Sequence, residues 1–467
     1  MGQSSSTTKR FDAIIIGSGQ AGNPLAHNLA DRGWSVALIE HEHLGGSCVN
    51  FGCTPTKAMI ASAEAAHEAR HGASLGVHVE GLRVALGEVV ARKNGIVARM
   101  RDGEQHQVER RPAITLVRGT ARFTGTRTVT VDGARLTAKH IFIDVGTSAA
   151  VPPIPGLDRV SFLDNRSIME LTVLPEHLLV LGGSAVGLEF AQMFRRFGSR
   201  VTVVETENQI VPREDDDVAE ELRKALEAEG VALELGARVA KIARNRDGIE
   251  ATVGSRSLTG SHLLVATGRR PNTAELDLAQ SGVETDAKGW IRVNEYLETS
   301  APGVWALGDV TGGPAFTHIS YHDYQIVFHN LFEKPWRSTK GRIVPYAIFT
   351  DPELGRVGIT EREARESGRA IRVGTVKAER IARAIERGDT RGLLKVVIDA
   401  GTERIIGAAV LSYAGGELIQ TMMALMMADA PWTVFKDAVF IHPTMTEGFF
   451  SLMASVKPPL EAAGQGS

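Results

Sequence analysis

The sequence predicts an α/β chain built on two strand–helix–strand units with parallel sheets, followed by a C-terminal α+β block. Three observations carry this: a strand, glycine turn, helix, strand and closing acid near the N-terminus; a second copy of that pattern near the middle; and strand-like runs around one helix towards the end. In the first copy, residues 11–16 are an apolar run followed by Gly17-Ser18-Gly19-Gln20-Ala21-Gly22, a helical stretch to Arg32, and VALIE ending at Glu40. In the second, residues 178–181 lead into Gly182-Gly183-Ser184-Ala185-Val186-Gly187, a helical stretch to Phe197, and VTVVE ending at Glu205. From first glycine to closing acid the interval is the same, 17 to 40 and 182 to 205. Two copies with equal spacing are a far stronger signal than one.

Between the copies, VPPIPG at 151–156 cannot continue a helix or a central strand and reads as a linker. A second boundary is expected near Arg270-Pro271-Asn272, after the apolar strand LLVATG. The block from Arg342 carries LLKVVIDA, IIGAAVLSY and a helix expected over 417–428. The expected division is therefore 1–150, 151–271, 272–341 and 342–467. The charged run 214–229 sets Val218, Leu222 and Leu226 on one face, which predicts a solvated helix.

At 467 residues the chain is long enough for about three domains, with 43% hydrophobic and 23% charged residues. Fifty-two basic against 55 acidic side chains give a net charge of -3, no field for holding a nucleic-acid backbone or an anionic membrane. No apolar stretch reaches the ~18 residues of a membrane span, and the opening MGQSSSTTKR lacks a signal peptide's apolar core, so a cytoplasmic location is expected. Met1-Gly2 with Ser6 matches a myristoylation pattern cheaply, in a Ser-rich tail.

In a strand–helix–strand unit of this kind the glycines let the backbone approach a diphosphate, the helix N-terminus supplies free N–H groups, and the acid takes ribose hydroxyls. Gly17, Gly19, Gly22 and Glu40 fill these roles in the first copy; Gly182, Gly183, Ser184, Gly187 and Glu205 fill them in the second, with Ser184 in place of the middle glycine. Two Rossmann-like dinucleotide-binding domains on one chain imply two cofactors exchanging electrons, FAD and a nicotinamide nucleotide. A carboxylate at Glu205 repels a 2′-phosphate, which favours NADH over NADPH, with Arg213 the one nearby cation able to oppose it.

The two cysteines of the chain, Cys48 and Cys53, sit together in GGSCVNFGCTPTK, and Pro55 fits the first turn of a helix whose dipole lowers a thiol's pKa. A disulfide-stapled scaffold or a Cys-rich metal cluster is excluded by count. Met422, Met423, Met426 and Met427 recur at helical spacing and are read as packing, and His41 and His43 as pocket lining. No resident metal is expected.

With those residues the chain resembles the flavoprotein disulfide reductases, the pyridine nucleotide–disulfide oxidoreductases that include glutathione reductase, dihydrolipoamide dehydrogenase and mercuric reductase. The resemblance is nearly full length. Gly119-Thr120-Ala121 resembles the family's FAD-adenine contact, Gly308-Asp309 its ribityl contact, Ala266-Thr267-Gly268 the strand end closing the nicotinamide domain, and His442-Pro443-Thr444-Met445-Thr446-Glu447 its acid/base motif. It implies that Cys53 is the thiol beside the flavin and Cys48 the interchange thiol. Gly46, Ser47 and Ala121 would line the FAD site. Lys57 and Glu189 would form an ion pair beside the reactive flavin nitrogen. His442 would be acid/base for Cys48, its tautomer held by Glu447 and its imidazole contributed by a partner subunit, so that a homodimer is implied.

The branch is less sharply marked. Mercuric reductases are expected to carry a second cysteine pair at the C-terminus, where this chain reads EAAGQGS, and a tyrosine where His442 stands. The stretches GDVTGGPAFTHISYHDY and RSTKGRIVPYAIFTDPELGRVG nonetheless resemble mercuric-reductase-like enzymes and the reactive-chlorine-resistance copper reductase. Ala185, where glutathione reductases have a tyrosine gate, disfavours that branch. The expected activity is hydride transfer from NADH through FAD to Cys48–Cys53 and on to a small disulfide or a thiophilic metal ion. The alternatives are oxidation of a dithiol by NAD⁺, as in dihydrolipoamide dehydrogenase, and a non-catalytic redox-sensing flavoprotein.

Overall fold

The computed structural model describes residues 8–246 and 248–458; the myristoylation match lies outside the described residues. The chain forms two compact units. One gathers the chain up to Ala58 with Glu88–Ala150 and Gly268–Arg342; the other gathers Met59–Gly87, Val151–Thr267 and the chain from Ile343.

In the first unit the strands Ile114–Arg118, Val36–Glu40, Lys9–Ile16 and Ala134–Ile143 pair in parallel, in that order. Val304–Ala306 also pairs in parallel with Ala134–Ile143, and the antiparallel strands Thr128–Val131 and Ala121–Gly125 extend the sheet. Parallel strands need helical crossovers and burial on both faces, which is why Val36–Glu40 and the C-terminal ends of Lys9–Ile16 and Ala134–Ile143 read as apolar runs. Ile14 and Ile15 are fully buried, facing opposite sides of the sheet. On one side the helix Gly22–Asp31 packs Leu25, Ala26 and Leu29 with Tyr324, Ile326 and Val327 of the helix Thr317–Phe332. Each such side chain contributes about 1.5–3 kcal/mol of burial. The result is a rigid platform whose strand ends carry the glycine turns.

The second unit repeats the plan with four parallel strands, Val231–Glu234, Arg200–Val204, His177–Leu181 and His262–Val265. Its C-terminal part is a five-stranded antiparallel sheet, covered on one face by the helix Gly415–Met427, which starts two residues ahead of expectation. Met422 is fully buried in that contact and Met423 and Met426 pack against it partly buried, as expected, whereas Met427 is 70% exposed and does not pack.

The charged run needs a correction. Val218, Leu222 and Leu226 are buried on the helix Asp216–Ala228 as the spacing requires, but Glu214, Asp215 and Glu229 are not solvated. Glu214 accepts from Arg356 Nε at 2.9 Å and from the Tyr346 hydroxyl, Asp215 lies 3.4 Å from Lys395 Nζ, and Glu229 takes Arg196 and Arg391. Arg356 and Glu214 are each 1% exposed, so removing one leaves the other charged and buried. We expect Arg356→Met to cost about 3–5 kcal/mol and to lower the thermal unfolding midpoint clearly, with Arg356→Met/Glu214→Leu recovering part of the loss.

Candidate active site

Both glycine turns fit a dinucleotide on steric grounds. Gly17 has φ +99° and Gly182 φ +110°, values that L side chains rarely adopt. A Cβ on Gly22 would collide with the Gly17 carbonyl oxygen, and one on Gly187 with that of Gly182, so the helix can start against the strand end only without side chains there. Each closing acid reaches back to its own turn. Glu40 accepts from Ser18 N–H at 3.1 Å and Ser18 Oγ at 2.6 Å, and Glu205 accepts from Gly183 N–H at 2.6 Å and Glu207 N–H at 2.9 Å. Both carboxylates are thus fixed at the turn where a ribose must lie. Ser184 takes the N-cap position in extended backbone and is exposed, so the missing glycine costs no strain.

The cysteine segment is stitched to the first turn. Gly45 N–H donates to Ser18 O at 3.1 Å, Gln20 Nε2 donates to Gly45 O at 3.2 Å, and a Cβ on Gly46 would sit 2.7 Å from Gly19 Cα. Ser47 is exposed, and its carbonyl accepts from Phe51 N–H. Arg101 and the Leu44 and Gly46 carbonyls hold Asn50 behind Cys48. Cys53 is the first residue of the helix Cys53–His71, where the helix dipole favours a thiolate. Lys57, one turn on, shares its face. No disulfide joins the two cysteines. A hydrogen bond with Cys53 first, then burial, pushes the Cys48 thiol up, and a negative charge on Cys53 pushes it further. Of the two thiols, Cys48 is the one held protonated. Thr317 Oγ1, at the start of the helix Thr317–Phe332, shares a 3.2 Å hydrogen bond with Cys53 Sγ.

Elsewhere in the first unit, Ala121 is buried where its strand begins, next to Gly119, whose N–H donates to Glu40 O. Gly308 N–H donates to Asp323 at 2.9 Å, and Asp309 accepts from Thr147 Oγ1 at 2.9 Å. Gly268 O accepts from Ala150 N–H at 2.9 Å. In the second unit, Glu189 is 7% exposed and accepts from Phe349 N–H at 3.0 Å. His442 is exposed, with Nδ1 2.9 Å from Glu447 Oε2. That pairing assigns a proton to Nδ1 and turns Nε2 away from Glu447. His67, Glu229 and Asp351 place ligand atoms within 4.8 Å of one another, but Arg196 and Arg391 donate into both carboxylates and supply the cations there.

Ser18, Thr317 and Asp144 join the predicted residues at this site. Ser18 was legible as the polar residue inside the turn. Asp144 leaves a trace in IFID, an acid closing an apolar strand, while Thr317 leaves none, lying 264 residues from its partner.

Two dinucleotide turns, each with its acid in place, and a dithiol joined to the first of them define a two-cofactor redox enzyme. The chain belongs to the pyridine nucleotide-disulphide oxidoreductase family, whose model matches residues 11–323, with the family's dimerisation domain matching 344–452. It is 38% identical to the probable pyridine nucleotide-disulfide oxidoreductase RclA of Escherichia coli, across 96% of this chain and all of that one. It is also 32% identical to a mercuric reductase of Staphylococcus aureus (94% and 81% covered) and 34% identical to a dihydrolipoyl dehydrogenase of Thermus scotoductus (94% and 96%). Among solved structures, the Cu(II) complex of the HOCl-induced flavoprotein disulfide reductase RclA from Escherichia coli matches with a TM-score of 0.88 and 37% identity, covering 96% of this chain and 99% of that one. The family is one of flavoenzymes using FAD and a pyridine nucleotide. Among the described residues no helix is long and apolar enough to cross a membrane.

Proposed function

We propose that the enzyme takes reducing equivalents from NADH and delivers them through Cys48 and Cys53 to a small disulfide or a thiophilic metal ion. The observation that carries this is the dithiol itself, one thiol at a helix N-terminus, the other holding its proton, on the segment clamped to the first glycine turn. When bound, FAD would supply the two-electron chemistry that links the nicotinamide to the cysteines. Gly17, Gly19, Gly22, Glu40, Gly46, Ser47, Ala121, Gly308 and Asp309 would hold it, and Lys57 and Glu189 are the charged side chains assigned to tuning its charge.

Gly182, Gly183, Ser184 and Gly187 cradle the second dinucleotide, Gly268 closes its strand end, and the Glu205 carboxylate accepts from the free ribose hydroxyls. NADH is the donor for that reason, and we expect its kcat/KM to exceed that of NADPH by at least about tenfold, or ~1.4 kcal/mol. Glu205→Ala should narrow the gap chiefly by raising KM for NADH; an unchanged ratio of the two cofactors would remove Glu205 from this role.

Cys53 begins a helix, where the dipole favours a thiolate, so the outward attack is assigned to Cys48, whose elevated thiol requires a base. His442 takes that proton and returns it to the departing thiol, held in tautomer by Glu447. The reaction balances as NADH, a proton and a disulfide giving NAD⁺ and two thiols. With Cu(II), two ions each gain one electron, and with Hg(II) one ion gains both; in either case NADH gives NAD⁺ and a proton is released. A homodimer completes the site: Val439, Ile441 and Phe450, flanking His442 and Glu447, are 99%, 78% and 53% exposed, a surface that a second copy would cover.

The acceptor test is a steady-state panel of lipoamide, glutathione disulfide, Hg(II) and Cu(II) with NADH. RclA's Cu(II) complex favours copper, and the His442–Glu447 pair favours disulfide exchange. Turnover with none of the four would overturn the proposal. A second reading, NAD⁺-dependent oxidation of a dithiol, rests on the dihydrolipoyl dehydrogenase relative and predicts faster turnover with dihydrolipoamide and NAD⁺ than in the reductive direction.

A further inference from the structure

Asp144 closes the central strand Ala134–Ile143 of the first unit and is 7% exposed, beneath the glycine turn. Its Oδ2 accepts the Gly22 N–H at 2.7 Å, one of the free donors at the start of the helix Gly22–Asp31. A methyl group on Gly19 would come within 2.7 Å of Oδ2, and one on Gly308 within 3.1 Å of Oδ1. One carboxyl is thus wedged between the two backbone segments assigned to the diphosphate and the ribityl chain. An ionised carboxylate there would face the negative diphosphate at short range in a water-poor site.

We propose that Asp144 positions the FAD turn as a neutral carboxylic acid, so that FAD retention is lost when this one group gives up its proton. The inference rests on the FAD assignment above and adds a control to it. The groups facing Asp144 agree. Burial first, then the charges of Asp309 and Asp323, push its carboxyl well above the usual carboxylate range, against the pull of the Gly22 and Ala21 N–H groups. Asp309 has Arg269 at 3.7 Å and Asp323 has Arg342 at 2.5 Å, with His322 beside that arginine, so those cations are engaged by other acids. A carboxyl that is neutral when FAD is bound makes binding weaken as pH rises.

The test is the pH dependence of the FAD dissociation constant, from free-flavin fluorescence after diluting purified holoenzyme between about pH 6 and about pH 9. The wild type should show a constant rising towards about tenfold per pH unit above a break, and Asp144→Asn, which keeps an oxygen acceptor for Gly22 and cannot ionise, should be flat. As a second measurement on the wild type alone, calorimetry in buffers of different ionisation heat should show proton uptake on FAD binding above the break. A flat wild-type profile, equal slopes in both proteins, or FAD binding without proton uptake overturns the inference. Protein that binds no FAD at any pH overturns the FAD assignment instead.

Discussion

Cys48→Ser is expected to lower disulfide turnover by at least about a thousandfold while leaving NADH-driven bleaching of the flavin close to wild type. The two effects separate because the proposed relay puts Cys48 on the acceptor side. In the free dithiol its thiol stays protonated beside Cys53, so it is the group that can open a substrate disulfide once a base relieves it. Cys53→Ser is expected to abolish the same turnover by a different route. With no thiol at the N-terminus of the helix Cys53–His71, the absorption band of a thiolate against the flavin disappears as well. Stopped-flow reduction by NADH, followed by addition of the preferred acceptor, distinguishes the two. Equal loss of both half-reactions in Cys48→Ser would refute its assignment as the outward thiol.

The second large effect is at His442. Its Nδ1 is paired with Glu447, the proposed role of its Nε2 is to move the proton of Cys48, and loss of a positioned acid/base costs about 10²–10⁴ in rate. His442→Ala should therefore impair disulfide turnover by that factor and spare reduction of the flavin. Glu447→Gln keeps the shape but weakens the hold on the imidazole and should cost less, about a hundredfold. An acceptor reduced by simple electron transfer, such as Cu(II), needs no proton returned to a leaving thiol, and with it both variants should lose far less. Equal losses with disulfide and copper would move His442 from acid/base to a structural role.

Local features were legible because their causes are local. Gly17 and Gly182 require left-handed backbone at a strand end, and the acids Glu40 and Glu205 fall where the next strand ends, so both turns follow from spacing alone. Cys53 beginning a helix was readable from Pro55. What stayed hidden depends on partners distant in the chain. Glu214 and Asp215 looked like members of a solvated face, yet Glu214's cation lies 142 residues away at Arg356, on a strand that only the fold brings over. Asp144 meets Gly22 from 122 residues away, and no periodicity marks a polar atom at the end of an apolar strand as a contact to a turn. His442 is legible only through its Glu447 neighbour, and its relation to Cys48 rests on the family resemblance, since the two lie in different units.

The central claim is that the cysteine pair and the flavin are separate electron stores connected in series. Anaerobic titration of the purified enzyme with NADH, recording flavin absorbance and free thiols together, tests this most directly. Uptake of four electrons per flavin, two for each redox group, with two new thiols and a long-wavelength band appearing before the flavin bleaches fully, is the predicted result. Uptake of only two electrons with the thiol count unchanged would contradict it.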